Sequence, residues 1–371
     1  MKKYLFIILL ALLPMVSNAY DFMVNGVAYK ILSLSDLECE VTDGFVADNE
    51  GKLVIPSTVE YKGRVFKVLG IGDISIGATE HNSITELVLE EGLSYIGSYA
   101  FWGQRIETIR IPKTITSIKT SAFLENKGHK IFVTGTWVSE PPINLIIEDG
   151  DELLSYNVEN PFFDPPFTCC RFTYLYLGRS VNNQFFSTTI TSVEKIVIGD
   201  QVKELTTEML GGYTLSKLKT LVIGKGLEMV PYMQEGDNIE EIFVRTEQPQ
   251  MSLGFNDATF VMATLYVPRG SKEAYMNADV WNKFWTIEEY DLQTIIPGDA
   301  NGDGKVNVTD VVEIVNDILG NPSAKFNKDA ADVNGDGQVN VTDIVEVVNI
   351  ILSTDAHAVL TSPILKEYVQ K

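Results

Sequence analysis

The sequence predicts a mostly β fold, a solenoid of short strands, followed by a small α-helical module. Two observations predict it: an apolar pattern returns every 21 to 25 residues over most of the chain, and an Asp/Asn/Gly-rich segment after Pro297 returns 33 residues later. A third observation, a basic and then apolar start, predicts an export signal. We therefore expect a signal peptide at 1–19, a repeat domain at 20–296, a helical module at 297–352 and a tail at 353–371.

Composition excludes several classes of function. The chain has 371 residues, with 50 acidic and 29 basic side chains and a formal charge of −21, which becomes −23 without a signal peptide carrying Lys2 and Lys3. A charge of this sign repels phosphate backbones and anionic lipid, so we expect no nucleic-acid partner and no attraction to membrane surfaces. The hydrophobic fraction of 45% is enough for a core and argues against general disorder.

Cysteine and histidine offer little catalytic material. The three cysteines, Cys39, Cys169 and Cys170, cannot all pair with one another. We interpret the adjacent Cys169 and Cys170 as small apolar residues of a packed segment, with a redox pair as the alternative. The three histidines are scattered along the chain (His81, His129 and His357). We expect no zinc site and no histidine-based active site.

The N-terminus has the order of features of a secretory signal. Lys2 and Lys3 precede an apolar run from Tyr4 to Leu13, and small residues follow at Ser17 and Ala19, which predicts cleavage after Ala19. The run is shorter than the roughly 20 residues that span a bilayer, so a retained anchor is the weaker alternative. No cysteine follows it for lipid attachment, and no later stretch is long and apolar enough to cross a membrane. We expect a secreted or cell-surface protein.

The central stretch repeats with a constant step of 22 residues. The matched pairs are Leu87 with Ile109, Leu89 with Ile111, Ile96 with Ile118, Ala100 with Ala122 and Phe101 with Phe123. One further step places Ile131 and Val133 in the next copy. Alternating apolar residues predict one short strand per copy, and the other matched residues would fill the interior of each turn. Because one unit cannot bury its own apolar face, the copies must stack into a solenoid.

Looser copies extend the array in both directions. Towards the C-terminus the strand core recurs at Leu175/Leu177, Ile196/Ile198, Leu221/Ile223, Ile242/Val244 and Leu265/Val267. An earlier copy is Leu53-Val-Ile55-Pro56, and Ile71-Gly72 corresponds to Ile96-Gly97. The rhythm is weakest from Thr134 to Thr173, where prolines interrupt it.

These residues resemble the leucine-rich repeats of the BspA-like, Treponema-type family. The family pattern L-x-x-L-x-I-P-x-x-V-x-x-I-G-x-x-A-F is matched almost letter for letter by Ile106–Phe123 and nearly as well by Leu87–Phe101. Ala263–Tyr275 and Trp281–Phe284 also resemble the closing repeat of such proteins from Bacteroides-type bacteria. The resemblance covers Asp21 to Asp291. It implies a curved array with a broad concave face, used for adhesion to proteins or host surfaces.

Ligand contacts on such an array would come from strand residues that face outward between the core positions. The candidates are Glu86, Val88, Thr108, Arg110, Lys195, Val197, Thr220 and Val222. Their mixed chemistry identifies no ligand. The repeated residues themselves are equally well explained as core, so they describe how the array folds and not what it binds.

The duplicated segment after Pro297 has the spacing of a calcium loop. Oxygen-bearing side chains at loop positions 1, 3, 5, 9 and 12, glycine at 6 and a backbone carbonyl at 7 supply the hard ligands that calcium needs. In the first copy these residues are Asp299, Asn301, Asp303, Lys305, Asn307 and Asp310. In the second copy they are Asp332, Asn334, Asp336, Gln338, Asn340 and Asp343. Two matches in register predict two Ca2+ ions, against the alternative of a metal-free surface turn.

A helix is predicted after each loop. The apolar face of the first comprises Val311, Ile314, Val315, Ile318 and Leu319, and that of the second comprises Ile344, Val347, Val348, Ile351 and Leu352. This spacing is typical of two helices packed on each other. Eight Asp and two Glu against three Lys give residues 297–352 a net charge of −7. We therefore expect this small module to fold poorly without cations.

A loop followed by one helix, duplicated and ending on Asp rather than the usual Glu of an EF-hand, resembles the type I dockerin domain. Dockerins bind cohesin domains and attach exported proteins to larger assemblies. The resemblance implies that loop positions 10 and 11, Val308-Thr309 and Val341-Thr342, help to select the partner. The copies are identical there, which would permit docking in two orientations related by a half-turn. Valine departs from cellulosomal dockerins, in which the first of the two residues is often small and polar.

The leading hypothesis is an exported, non-catalytic binding or adhesion protein. Its solenoid would bind a protein or glycan ligand, and its calcium module would tether it to a cohesin-like partner or stabilise the C-terminus. The alternative is a component or enzyme of a polysaccharide-degrading complex, since dockerins often accompany glycoside hydrolases, which need two carboxylates ~5–10 Å apart. Glu148, Asp149, Asp151 and Glu152 cluster in sequence, but a solvated turn is favoured over a catalytic pair. A pure calcium buffer would leave the solenoid without a role.

Overall fold

A computed structural model gives the fold. It describes residues 20–74, 83–126, 130–133, 136–139, 143–156, 164–182, 185–186, 192–206, 209–210, 215–233, 238–290, 298–303, 305–333 and 338–352. The predicted signal peptide, the tail after residue 352, the three histidines, Asn334 and Asp336 lie outside these ranges.

The described residues form strands throughout the repeat domain and helices mainly in the C-terminal module. The strands are β1 Phe22–Val24, β2 Val27–Ser33, β3 Glu38–Val41, β4 Lys52–Ile55, β5 Thr58–Tyr61, β6 Arg64–Ile71, β7 Glu86–Leu89, β8 Tyr95–Ile96, β9 Thr108–Ile111, β10 Ser117–Ile118, β11 Lys130–Val133, β12 Thr136–Ser139, β13 Ile143–Ile147, β14 Ser155–Tyr156, β15 Phe172–Leu177, β16 Lys195–Ile198, β17 Thr220–Ile223, β18 Met229–Val230, β19 Glu241–Val244, β20 Met251–Ser252, β21 Thr264–Pro268 and β22 Thr286–Tyr290. The helices are α1 Asp257–Met262, α2 Lys272–Met276, a 3₁₀ turn Trp281–Lys283, α3 Val308–Ile318, α4 Lys328–Ala331 and α5 Val341–Leu352. The predicted mostly β fold class is confirmed.

The main sheet is a parallel ladder with one strand per repeat. Its order is β22-β21-β19-β17-β16-β15-β13-β9, and β4 and β7 form a separate parallel pair. The predicted core positions lie opposite one another in register, as in Leu175 opposite Ile196 and Leu221 opposite Ile242. These side chains are almost completely buried in one continuous apolar core. The alternating apolar positions of each copy therefore do form strands whose core positions are buried, as predicted.

The prediction for Ile131 and Val133 is wrong. They lie on β11, which pairs antiparallel with β12 and stands apart from the ladder. The strand beside β9 is instead β13, where Leu145 lies opposite Ile109 and Ile147 lies opposite Ile111. An inserted segment separates β9 from β13 in the sequence. The apolar pair that fills the core therefore comes later in the chain than a 22-residue step would place it.

Short rungs and an aromatic column form the side of the solenoid opposite the main sheet. Ile71, Ile96 and Ile118 are paired in register along β6, β8 and β10. The ring of Phe101 stacks on Phe123 at 5.1 Å between centroids, and Phe123 stacks on the next ring, Phe167, at 5.2 Å. Such offset aromatic contacts add to the free energy gained from burial. The Ala-Phe repeat thus fills the interior, as predicted.

The residue three positions after Phe123 or Phe167 forms a hydrogen bond to a neighbouring turn of the solenoid. Asn126 Oδ1 accepts a hydrogen bond from Ile106 N–H at 3.0 Å, and in the next turn Cys170 Sγ donates to the carbonyl of Phe123 at 3.0 Å. Cys170 is buried, as interpreted from the sequence, and burial raises the pKa of its thiol. The interpretation is wrong for Cys169, which is exposed in a left-handed conformation with φ of 61°.

Glycine allows adjacent repeats to approach at the ends of the parallel strands. A Cβ on Gly224 would lie 2.3 Å from the carbonyl oxygen of Gly199, and a Cβ on Gly178 would lie 2.4 Å from Asp149 N. Both neighbours are backbone atoms, which cannot rotate away. Only glycine allows this spacing between the strand ends.

The solenoid has a different construction at each end. At the N-terminal end, β1 pairs antiparallel with β2, β2 with β3, and β5 with β6, which the repeat pattern did not predict. At the C-terminal end, the closing segment buries Trp281, whose indole Nε1–H donates to the carbonyl of Gln250 at 2.7 Å. Large buried aromatic residues therefore close this end of the core.

In the C-terminal module, α3 and α5 pack against each other, as predicted. Ile314 and Val347 are fully buried, together with Ala300 and Ala331. The predicted apolar faces are only partly buried, however, because Ile318 is 41% and Leu319 69% exposed. Two short helices and the four-residue α4, which the sequence did not predict, are too small to cover both faces. Among the described residues no helix is long and apolar enough to cross a membrane.

Candidate calcium-binding and docking site

The first acidic loop is organised by its own carboxylate and amide oxygens. Asp303 N–H donates to Asp299 Oδ1 at 3.0 Å and to Asn301 Oδ1 at 2.9 Å, and Lys305 N–H donates to Asp303 Oδ1 at 2.9 Å. Asn307, at loop position 9, is the N-cap of α3. The side chains at positions 1, 3 and 5 thus turn inward over the backbone of the same loop.

Asp310 links the two ends of this loop. Its Oδ1 accepts a hydrogen bond from Asn301 N–H at 3.1 Å, and its Oδ2 accepts one from Asn307 N–H at 2.8 Å. The second bond completes a capping box at the start of α3. Position 12 of the loop is therefore also the position that starts the helix.

These carboxylates are buried next to one another. Asp299 is 5% exposed and Asp310 is completely buried. Burial raises the pKa of Asp310, and the nearby negative charges of Asp299 and Asp303 raise it further, although two backbone N–H donors act in the opposite direction. Buried like charges are unfavourable unless a cation compensates them. The donor set fits a hard divalent cation.

The second loop repeats this arrangement where it is described. Asn340 N–H donates to Asp343 Oδ2 at 2.9 Å, and Val333 N–H donates to Asp343 Oδ1 at 2.9 Å. Asp332 is 6% exposed and Asp343 is completely buried. The described members of this loop therefore also fit a cation site. Among the described residues no group of three or more His, Cys, Asp or Glu side chains is arranged as a metal site. In sequence, each loop offers amides and backbone carbonyls besides its carboxylates.

The four residues predicted to select a partner are all accessible. Val308 is 67% and Val341 is 65% exposed, and Thr309 and Thr342 beside them are also exposed. Each pair occupies the first turn of its helix, directly after the acidic loop. Each of these solvent-facing valines therefore lies two residues before a buried carboxylate.

The structure adds apolar residues that sequence reasoning missed. Val312 and Val345 are each 53% exposed and lie one helical turn after Val308 and Val341. The adjacent valines at 311 and 312 could have predicted this exposure. When one of two neighbours on a helix faces the core, the other faces away from it. Each helix therefore carries an exposed apolar stripe, in the same positions of both copies.

On the repeat domain, the candidates predicted to face outward divide into three groups by exposure. Glu86 and Thr108 are exposed, and Val88, Arg110, Lys195 and Thr220 are half-buried. The prediction is wrong for Val197 and Val222, which are only 6% and 1% exposed. They belong to a second apolar cluster on this face of the sheet, together with Ile146, Tyr176, Phe243, Tyr266 and Tyr290. Aromatic rings stack within that cluster, as Phe243 does on Tyr266 at 4.5 Å between ring centroids. The two valines are buried as members of this packed face.

The cluster Glu148, Asp149, Asp151 and Glu152 is only partly the solvated turn that was expected. Asp151 and Glu152 are exposed. Glu148 Oε1 instead forms an ion pair with Arg110 at 2.9 Å, and both oxygens of Asp149 accept a hydrogen bond from the Tyr176 hydroxyl at 3.0 Å. Burial raises the pKa of both carboxyls. These two acids therefore join neighbouring repeats.

Comparison with known protein families finds a match in each of the two parts of the chain. Residues 72–136 match the BspA type leucine rich repeat region in six copies, and residues 297–352 match the dockerin type I domain. The chain carries BspA-type leucine-rich repeats and a type I dockerin domain. A comparison with curated proteins finds no match.

The solved structures that match this chain include bacterial leucine-rich repeat proteins. A leucine-rich repeat protein from Bacteroides ovatus is 15% identical, with a TM-score of 0.28 and coverage of 73% of this chain and 76% of the other. The pneumococcal vaccine antigen PcpA is 14% identical, with a TM-score of 0.22 and coverage of 74% and 99%. A leucine-rich cell-surface protein from Faecalibacterium prausnitzii is 11% identical, with a TM-score of 0.19 and coverage of 72% and 94%.

The two matched regions define a coarse role. Leucine-rich repeats and dockerins are non-catalytic interaction modules, typical of extracellular and cell-surface proteins. Type I dockerin domains generally bind calcium and imply cohesin partners. The chain therefore has a role in protein interaction.

Proposed function

We propose that this protein is an exported, non-catalytic tether. A signal peptide at 1–19 is removed, the repeat domain at 20–296 binds a protein or glycan ligand, and the dockerin module at 297–352 docks onto a cohesin-like partner when it holds calcium. The observation that carries this proposal is the position of the exposed valines beside the buried carboxylates. Cation binding and partner binding would then share the first turn of each helix.

The proposal assigns one calcium ion to each loop. Asp299, Asn301, Asp303, Asn307 and Asp310 would supply side-chain oxygens in the first loop, and Lys305 a backbone carbonyl. In the second loop the side chains of Asp332, Asn334, Asp336, Asn340 and Asp343 and the carbonyl of Gln338 would do the same. Bound calcium would offset the repulsion among these buried acids and so fix the start of α3 and α5.

The docking surface would be the exposed stripe of each helix. Val308, Val312 and Leu319 lie along one side of α3 and its C-terminal end, and they are 67%, 53% and 69% exposed. So much exposed apolar surface on two short helices is typical of an interface. It favours a partner with an apolar binding face.

The decisive experiment separates calcium binding from docking. The mature protein is used to capture partners from cell-envelope and culture-fluid fractions and from a panel of recombinant type I cohesins, with calcium and with chelator. One variant carries Asp310→Ala and Asp343→Ala, which remove a ligand from each loop. Another carries Val308→Asp and Val341→Asp, which leave all the ligands in place.

Capture that requires calcium and is lost in both variants supports the docking role, provided that the valine variant still binds calcium. Val65→Asp is the matched control, since Val65 is 57% exposed on a strand of the repeat domain. Capture that survives both chelator and the valine changes would transfer binding to the solenoid and leave calcium a structural role.

A further inference from the structure

A second candidate binding site lies at the N-terminal end of the solenoid, far along the chain from the dockerin module. A groove of about 780 Å³ lies between β4 and the turn that joins β1 to β2. Its walls include Val24, Val46, Leu53, Val54 and Val59. Val46 is 59% and Val54 39% exposed, so β-branched apolar side chains face solvent here.

One wall of the groove is an open strand edge. Strand β4 pairs with β7 alone among the described residues. The carbonyls of Gly51 and Ile55 accept hydrogen bonds from Glu86 N–H at 3.2 Å and Glu90 N–H at 3.1 Å. Because alternate residues of a strand direct their backbone groups to opposite sides, Lys52 and Val54 direct theirs away from β7.

The two outward residues differ in their partners. Lys52 N–H donates to Asp48 Oδ1 at 2.9 Å, and its carbonyl accepts from Asp48 N–H at 2.9 Å. The outward N–H and C=O of Val54 have no such partner within the described part of the chain. An exposed donor and acceptor pair on an apolar edge is a template for another strand.

The C-terminal end of the main sheet lacks this combination. Strand β22 is also terminal in its sheet, but it carries exposed Glu288 and Glu289. Charged residues on a terminal strand disfavour pairing with another chain. The β4 edge presents Val54 beside Lys52, whose charge is paired with Glu86, so of these two edges it is the one suited to binding.

Charge at the groove indicates the kind of partner. Asp48 and Glu60 line it, both are exposed, and neither forms an ion pair among the described residues. The positive charge of Lys52 is already paired with Glu86 at 2.5 Å. A second copy of this chain, with a formal charge of −21, would be repelled, whereas a basic segment would be attracted.

We propose that this groove binds an extended basic segment of a partner protein, which adds a strand to the edge of β4 at Val54 and places alternate β-branched side chains in the groove. The site goes beyond the tethering role, because it uses neither calcium nor the dockerin helices. Backbone pairing would provide the affinity, and the acidic rim would select against acidic segments.

The test uses the full mature protein with calcium and a labelled peptide, Lys-Val-Thr-Val-Lys-Val-Thr-Val, observed by fluorescence anisotropy. The comparison peptide has Glu in place of both Lys. We expect binding of the basic peptide, at least roughly tenfold weaker binding of the acidic one, and weaker binding at high salt. Slower amide exchange over residues 48–60 in the complex would locate the peptide.

Val54→Pro is the decisive variant. It removes the outward N–H but no hydrogen bond to β7, so the fold should be retained, and we expect at least a roughly tenfold loss of peptide affinity. Asp48→Asn with Glu60→Gln should weaken the basic peptide alone. The Val308→Asp, Val341→Asp variant should bind the peptide normally, and Val54→Pro should retain calcium-dependent capture of a cohesin, so the two proposals fail independently.

Three results would overturn the proposal. The first is no binding of the basic peptide up to about 1 mM. The second is binding that Val54→Pro leaves unchanged. The third is self-association of the protein through this edge, detected by sedimentation and abolished by Val54→Pro, which would make a second copy the occupant.

Discussion

Arg179 shows how a single side chain joins repeats that are distant in sequence. It is completely buried, and its guanidinium donates to the carbonyls of Lys113, Pro112 and Ile115 at 2.6, 2.8 and 2.7 Å. Burial lowers the pKa of this group, while the nearby acids, Glu148 first among them, raise it. One charged donor therefore satisfies three carbonyls that would otherwise form hydrogen bonds with water.

Arg179→Met should destabilise the repeat domain by about 2–4 kcal/mol, because it removes the shared donor of three carbonyls in the protein interior. Urea unfolding followed by tryptophan fluorescence measures this, since all four tryptophans precede residue 291. Arg64→Met, at an exposed position of β6, is the control and should change stability by less than about 0.5 kcal/mol. Equal effects of the two changes would contradict the role given to Arg179.

Asp149 is a residue whose ionisation opposes folding. Burial raises its pKa, the negative charge of Asp200 raises it further, and the Tyr176 hydroxyl and Arg245 act in the opposite direction. A carboxyl with a pKa raised on folding stabilises the folded state most when it is protonated. That contribution is present below the unfolded pKa and is lost as pH rises through the folded pKa.

Asp149→Asn should therefore gain stability relative to the wild-type protein as pH rises from 4 to 7. The amide oxygen still accepts the Tyr176 hydroxyl, so the main change is the loss of the charge. Urea midpoints of both proteins across this pH range provide the measurement, with Asp151→Asn, at an exposed position of the same turn, as the control. A difference that is constant with pH, or that falls as pH rises, would contradict the argument.

At the scale of elements, α3 and α5 are near-copies that present the same surface. Val308 and Val341 are exposed to 67% and 65%, and Val312 and Val345 are both 53% exposed. In both copies the acid at loop position 12 accepts the N–H of the Asn at position 9. The two helices therefore present equivalent surfaces, which docking in either of two orientations would require.

If either helix can occupy the partner's binding face, neither is required alone. Val308→Asp by itself and Val341→Asp by itself should each reduce cohesin affinity by about twofold, the statistical loss of one of two modes. The double variant should abolish binding. Isothermal titration against the captured cohesin measures this, and a single variant that abolishes binding would establish one fixed orientation.

At the scale of the whole molecule, the two parts of the chain are stabilised differently. One apolar core extends through the repeats from Phe22 to Ile287. The described part of the dockerin module contains only five buried apolar residues, next to four buried aspartates. We expect the repeats to be stable through burial alone and the module to depend on compensation of its charge.

Removal of calcium should therefore unfold residues 297–352 and leave the repeats folded. Hydrogen exchange with mass spectrometry on the full chain should show faster exchange over α3 and α5 with chelator and unchanged exchange over 83–126. Calcium added back should reverse it, and magnesium serves as the comparison ion. Unchanged exchange in the module would contradict the stabilising role given to calcium.

Much of this architecture is readable from local patterns. Alternating residues such as Leu87 and Leu89 form strands with one buried face, and the duplicated Asp/Asn/Gly loops precede helices, because both patterns concern neighbours in sequence. The antiparallel pairs of the N-terminal end were not predicted, since they lack the repeat. The place of β13 beside β9 was also missed, because an inserted segment breaks the constant step.

Sequence alone was enough to identify a repeat solenoid, its core residues and a duplicated acidic loop, because spacing along one chain sets them. Only the tertiary structure shows that Val197 and Val222 are buried, that Val312 and Val345 are exposed, and that β4 has an open edge. Exposure and pairing depend on which side chains and strands from other repeats lie alongside, and that is a property of stacking rather than of any one repeat.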